Sequence, residues 1–167
     1  MAQLTLPKNS VVQKKGKSHP APQGAEKSVT FKIYRYDPSS PENPRLDTYE
    51  IDAAGVSMVL DGLIKIKNEI DPTLSFRRSC REGVCGSCAM NIDGANTLAC
   101  TKSMGECAGG EVVVYPLPSQ PVIRDLVTDL SNFYRQQAFI EPFLQADATG
   151  KKNEFIQSPA EREKLDG

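Results

Sequence analysis

Three cysteines within nine positions, Cys80, Cys85 and Cys88, constrain this sequence more than any other feature. They stand in the stretch SCREGVCGSC, separated by small and turn-forming residues. A free cysteine ordinarily serves as a small buried apolar residue, a role that suits so crowded a loop badly. Two more follow in LACTKSMGEC, Cys100 and Cys107, for five in 167 residues. The sequence shows no signal-peptide core, so these read as reduced thiols or metal ligands rather than disulfides. An odd count also leaves one of them outside any disulfide scheme.

The spacing is Cys80-x4-Cys85-x2-Cys88, with eleven residues before Cys100. An x4/x2 pattern is that of plant-type 2Fe–2S sites, in which four thiolates hold two sulfide-bridged irons. Such a cluster carries net negative charge, which amide dipoles and nearby cations must offset. Gly83 and Gly86 allow backbone N–H groups to turn towards sulfur without steric cost. Arg77, Arg78 and Arg81 bring positive charge close by, although each could equally face solvent or a partner. Zinc is the rival reading. Four-cysteine zinc sites come as two short knuckles, and Cys100 and Cys107, with six residues between them, form none. Cys100 is the better fourth ligand, because a hairpin turning at Asp93-Gly94 should return it beside the loop. Cys107 reads as an incidental buried or surface thiol.

Around this loop the sequence predicts an α+β fold. Val29, Phe31 and Ile33 alternate with polar residues in VTFKIYRY, as in a half-buried strand. Three prolines interrupt in DPSSPENPR, and LDTYEI (46–51) resumes as an antiparallel partner. Residues 57–70 place Val59, Leu60, Leu63, Ile64 and Ile70 at helical spacing, with Ser57 as N-cap. AMNIDGANTLAC reads as a hairpin, and EVVVYP (111–116) as a buried or central strand. Two strands, a helix, the cysteine loop, a hairpin and a strand make a β-grasp, 2Fe–2S ferredoxin-like domain over residues 28–118.

On either side the composition changes. Residues 1–27, rich in Lys, Pro, Gly and Ser, read as a disordered arm. The near absence of acid there hints at an organelle transit peptide, against which stand the missing arginines and three prolines. The sole histidine, His19, reads as a solvated residue of this arm. Residues 119–167 read as a helical extension and linker. Val122, Ile123, Leu126, Val127, Leu130, Phe133 and Tyr134 fall along one face of a helix over 122–137. FIEPFL follows, then the polar linker QADATGKKNE. Ser158, Pro159 and Glu161 spell a capping box. The helix they open has so little body that a further segment is expected beyond it.

The stretch SCREGVCGSCAMNIDGANTLACTK resembles the iron–sulfur subunit of succinate dehydrogenase and of its relative fumarate reductase. The likeness runs over roughly residues 28–167 and includes FKIYRYDP, MVLDGLIKIKNEIDPTLSFRRSC, VYPLP, DLVTDLSNFYRQQAFIEPFL and EREKLDG. It implies that Cys80, Cys85, Cys88 and Cys100 bind a 2Fe–2S cluster. It also implies docking on a flavoprotein subunit whose FAD oxidises succinate and passes single electrons towards quinone. The family subunit has a second domain with 4Fe–4S and 3Fe–4S clusters, whose cysteines should begin just after EREKLDG. The expected partners are therefore the flavoprotein, a cluster-bearing second half of the subunit, missing or separately encoded, and indirectly membrane-anchor subunits. VYPLPSQPVIRDLV lacks the aromatic and histidine residues often found between PLP and DLV, which weakens detailed claims about the partner surface there.

The implied setting is peripheral on the inner membrane, at the cytoplasmic face in bacteria or the matrix face in mitochondria. No apolar run approaches the ~18 residues of a spanning helix. A net charge of −1 lacks the basic excess of a nucleic-acid binder. No nucleophile–base pair is visible, so the chain reads as a non-catalytic relay within an oxidoreductase complex. The alternatives are a free soluble 2Fe–2S ferredoxin and a zinc-stabilised interaction module.

Overall fold

The alternation around Phe31 becomes strand β2, Ser28–Arg35, paired antiparallel along its whole length with β3, Arg45–Asp52. The computed structural model describes residues 10–22, 24–25, 27–42, 44–143, 145 and 158–164. These divide into two compact units, with the boundary between Ser131 and Asn132.

In the first unit a short strand β1, Ser18–His19, runs parallel to β3. Strands β4, Ala89–Ile92, and β5, Ala95–Leu98, form the expected hairpin. Asp93 and Gly94 turn it with φ of 50° and 84°, the double positive pair that two-residue hairpin loops require. Strand β6, Glu111–Tyr115, lies between β2, to which it is parallel, and β4, to which it is antiparallel. The sheet order is β1-β3-β2-β6-β4-β5. This mixed sheet with its single crossing helix is the α+β, β-grasp arrangement expected.

The helix α1, Val59–Lys65, widens into one π-type turn over Ile66–Ile70. It begins after Met58 rather than at Ser57, because the Asp61 carboxylate accepts the Met58 N–H at 3.0 Å. Ser57 instead offers its carbonyl to the Met104 N–H at 2.9 Å. Val59, Leu60, Leu63 and Ile66 are buried in one cluster with Phe31, Ile33, Ile51, Val112 and Val114. Phe31 pairs with Val112 and Ile33 with Val114 across the β2–β6 ladder, so both strands put one apolar face forward. Helix and sheet approach closely only because residue 62 is glycine. A Cβ there would stand 2.3 Å from Phe31 Cζ.

Two readings are corrected here. The arm is not free throughout: Gln13, Gly16 and Lys17 exchange backbone hydrogen bonds with Pro44, Leu46 and Thr48 at 2.8–2.9 Å. His19 stacks on Tyr49 with ring centroids 4.6 Å apart and 3° between planes, so it is no solvated tail residue. An edge strand otherwise presents unpaired backbone groups, and the arm covers that of β3.

The helix expected over 122–137 is also displaced. Strands β7, Val122–Arg124, and β8, Val127–Thr128, form a small hairpin turned at Asp125 and Leu126. Helical spacing placed Val122 and Leu126 on one face. Burial of the turn wins, with Leu126 5% and Asp125 2% exposed.

In the second unit helix α2, Ser131–Ile140, carries Phe133 and Tyr134 edge to face, with centroids 5.5 Å apart. Helix α3, Pro159–Glu163, starts with the predicted capping box. Ser158 Oγ accepts the Glu161 N–H at 3.3 Å, and Glu161 Oε2 accepts the Ser158 N–H at 3.1 Å. The first nine residues and most of the linker expected over 145–154 lie outside the described residues.

Candidate functional site

Between the end of α1 and the start of β4 the chain forms no ladder, and Cys80, Cys85 and Cys88 lie on that stretch. Three of its residues take positive φ, Arg81 at 64°, Gly83 at 79° and Gly86 at 70°. These left-handed positions fold the loop so that amides face sulfur. The Cys85 N–H points at Cys80 Sγ at 3.3 Å, and the Cys80 N–H at Cys85 Sγ at 3.5 Å. The Ser87 N–H adds a third contact to Cys85 Sγ at 3.4 Å. Hydrogen bonds from Cys80 and Ser87 pull the Cys85 thiol down to about 6. These bonds favour the Cys85 thiolate, the form that binds metal.

Cys88 and Cys100 form a second pair. Cys88 ends the loop just before β4, and Cys100 follows β5, so the hairpin returns one beside the other as expected. The Ala99 N–H donates to the Cys88 carbonyl at 3.1 Å. Burial, followed by the neighbouring Cys100 thiol, raises the Cys88 value. Cys88 and Cys100 are 3% and 7% exposed, whereas Cys85 is at the surface.

The start of α1 holds both sides of this arrangement, which the sequence did not reveal. Its first N–H groups need acceptors. Val59 donates to the Lys102 carbonyl at 3.0 Å and Leu60 to the Ala99 carbonyl at 2.9 Å. The segment bearing Cys100 is therefore pinned to the helix. On the other side the Asp61 carboxylate pairs with the Arg81 guanidinium.

The three arginines have different fates. Arg81 is bound to Asp61, Arg77 Nη1 donates to the Thr128 carbonyl at 2.7 Å, and Arg78 is exposed. Cys107 is buried, donates its thiol to the Ser103 carbonyl at 3.5 Å, and has Asp93, Lys102 and Glu106 for charged neighbours. Burial first, and then Asp93, pushes it up to about 11, so it stays protonated at neutral pH.

Behind the loop lies a buried polar network that sequence reasoning missed. Arg35, 6% exposed, bonds Asp125 Oδ1 through Nε at 3.0 Å and Thr73 Oγ1 through Nη2 at 2.8 Å. Its Nη1 reaches both Asp71 and the Tyr49 hydroxyl, which itself donates to Asp71 at 2.8 Å. Desolvation would raise the Asp71 carboxyl. Hydrogen bonds from Thr73, Arg35 and Tyr49 outweigh it and hold the group far below the usual carboxylate range. The only sequence signal was a lone arginine at an inward position of a strand.

Among the described residues no three His, Cys, Asp or Glu side chains converge on one point as they would around a single ion. Four thiols arranged as one amide-backed pair, Cys80 and Cys85, and one pair returned by the hairpin, Cys88 and Cys100, suit a binuclear cluster better than mononuclear zinc. On a β-grasp sheet, this makes the domain ferredoxin-type.

Residues 30–135 match the family model described as the 2Fe-2S iron-sulfur cluster binding domain, and the chain belongs to that family. Its cofactor is a 2Fe–2S cluster. The chain is similar to the succinate dehydrogenase iron-sulfur subunit of Paracoccus denitrificans, at 57% identity over 168 residues. That match takes in all of this chain and 64% of the relative. A chain of the Mycobacterium smegmatis Sdh1 complex in the apo form matches at a TM-score of 0.66 and 28% identity, over 80% of this chain and 54% of that one. Among the described residues no helix is long and apolar enough to cross a membrane.

Proposed function

We propose that this chain is the 2Fe–2S part of an iron–sulfur subunit of succinate dehydrogenase, in which Cys80, Cys85, Cys88 and Cys100 would hold the cluster. The observation that carries the ligand set is the pairing of thiols, with N–H groups aimed at the Cys80 and Cys85 sulfurs. Cys107 stands outside it, with a protonated thiol committed to a carbonyl. When bound, the cluster supplies one-electron acceptance and donation. The chain's own residues do the rest. The loop amides and the arginines offset negative charge, the hairpin and α1 fix the buried pair, and the exposed Cys85 side brings the site to the surface.

The wider role rests on the likeness to the Paracoccus subunit. In it, residues 28–118 take electrons singly from a flavoprotein's FAD, and residues 119–167 lead towards a second, cluster-bearing half that continues the path to quinone. The assembly is peripheral on the inner membrane. The test is anaerobic reconstitution of the full chain, with iron and sulfide counted and the reduced-cluster EPR signal recorded. Co-expression with a flavoprotein, with and without a cluster-bearing second half, then measures succinate-driven quinone reduction. Two irons per chain, cluster reduction by the flavoprotein and quinone turnover only with the second half are expected. Quinone turnover without any other cluster-bearing polypeptide would overturn the relay, and turnover with soluble reductases but no stable partner would mark a free ferredoxin.

A further inference from the structure

The Asp125 carboxylate lies outside the cysteine loop, yet it joins the hairpin that carries it to two other chain segments. Its Oδ1 accepts from Arg35 Nε and from the Tyr36 N–H, both at 3.0 Å, and its Oδ2 accepts from the Ser75 N–H at 2.9 Å. Its own N–H donates to the Tyr36 carbonyl at 3.0 Å, and the Leu126 N–H to the Ser75 carbonyl at 3.2 Å. The residue is 2% exposed and takes a φ of 46°, so the turn is shaped to deliver this carboxylate inward. Two residues beyond Ser75, Arg77 donates to the Thr128 carbonyl of the same hairpin.

From Leu74 to Cys80 the chain belongs to no strand or helix. Leu74 is fully buried, and the next fixed points along the stretch are these bonds at Ser75 and Arg77. Cys80 follows Arg77 by three positions. The Cys88 and Cys100 pair is held by the β4–β5 hairpin and by α1, whose Asp61 also reaches Arg81 next to Cys80. The two thiol pairs therefore rest on different backbone supports, and the stem of the loop sets the direction from which the chain enters Cys80.

We infer that the β7–β8 hairpin is the clamp for this stem and that Asp125 is a positioning residue for Cys80 and Cys85. The inference rests on those thiols being cluster ligands. Outer-shell partners of a metal site work this way, acting on the metal through the ligand they orient. Substitution by asparagine is discriminating. It leaves one oxygen for Arg35 and Tyr36 but sets an amide N–H against the Ser75 N–H, which replaces one of the stem's bonds to the hairpin with a repulsion while sparing the β2 contact.

The experiment uses the full chain, reconstituted anaerobically, as wild type, Asp125→Asn, Arg77→Leu and Arg78→Leu. A core variant in β3, Ile51→Val or Ile51→Ala, is chosen to match the thermal stability of Asp125→Asn. Iron release into a chelator and the EPR spectrum of the reduced cluster are recorded for each. Asp125→Asn should release iron on the order of 10-fold faster than wild type, with altered g-values, while the matched core variant keeps both. Arg77→Leu should exceed Arg78→Leu, which removes the same charge one position closer to Cys80. If Asp125→Asn fails to fold, the arginine comparison decides alone, since both side chains are on the surface. Variants that merely track the matched core variant, or equal effects at Arg77 and Arg78, would overturn the clamp with the cluster reading intact. A wild-type chain without a reduced-cluster signal would overturn both.

Discussion

Replacing Gly62 by alanine sets two effects of opposite sign against each other. In an exposed helix interior the exchange gains roughly 0.8–1 kcal/mol of helix propensity. Here the new methyl would lie 2.3 Å from Phe31 Cζ and 2.7 Å from Cε2. Carbon atoms in contact prefer about 3.5 Å or more, so ring and helix must part by roughly 1.2 Å. The ring has nowhere to go. Phe31 is fully buried and its strand is paired on both sides, with Tyr49 and with Val112. Overpacking of this kind costs typically 1–3 kcal/mol, and a clash this deep belongs near the upper end. The net expectation is a loss of about 1–2 kcal/mol after the propensity gain. For a domain of this size that lowers Tm by very roughly 3–10 °C. Moving α1 also strains the Val59 and Leu60 bonds that hold the Cys100 segment, so iron should leave the reconstituted chain faster. The assays are thermal unfolding of the apo chain and iron release from the loaded one. Phe31→Leu should relieve the clash, so the double variant should be more stable than the sum of the single losses predicts. A Gly62→Ala chain as stable as wild type would refute the packing argument.

Three further outcomes are expected. Cys100→Ser should prevent assembly of a normal 2Fe–2S site or alter its spectrum, while Cys107→Ser should leave the reduced EPR signal unchanged; the reverse result would show the ligand assignment to be wrong. Arg78→Gln with Arg81→Gln should lower the reduction potential, because nearby cations favour the more negative reduced state, and the shift should shrink with added salt; a redox titration giving an unchanged or raised potential counts against it. Asp71 has a folded value depressed below the unfolded ~3.9, so its contribution is complete above about pH 4 and fades as pH falls through the folded value. Urea unfolding should find Asp71→Asn less stable than wild type at pH 7, with a gap that narrows below pH 4 and fails to narrow only if the depressed value is wrong.

What was legible in the sequence had a local cause. Alternation at Val29, Phe31 and Ile33, the Asp93-Gly94 turn, and Ser158 with Glu161 each specify their own geometry within a few residues. The thiol pairing was legible for the same reason, since a two-residue hairpin turn must return Cys100 towards Cys88. What was missed depends on contacts between distant segments. The spacing of Val122, Ile123, Leu126 and Val127 fits a helix until Asp125 is required beneath Arg35, 90 residues away in sequence. Residues 13–19 are polar, run into Pro20 and carry no strand period, yet the open edge of β3 recruits them. Gly62 gave no signal, because the need for glycine at that position appears only once Phe31 is known to lie against it.

The Arg35 network is the most costly of these long-range features, and its cost bears on its purpose. A buried ion pair must recover the desolvation of its charges, and an apolar replacement of similar shape is often as stable or more so. Stability alone therefore does not account for placing a guanidinium at the end of β2. Geometry does. One planar group fixes Asp71 and Thr73 after the helix, Tyr49 on β3 and Asp125 on the last hairpin in a single arrangement. Backbone bonds alone join these segments sparsely, and an apolar contact would hold them together without choosing an angle. The stem of the cysteine loop leaves from this arrangement, between Thr73 and Cys80. A site that must keep two thiol pairs in register needs its stem set in direction as well as in place, and directional bonds to a rigid cation supply both.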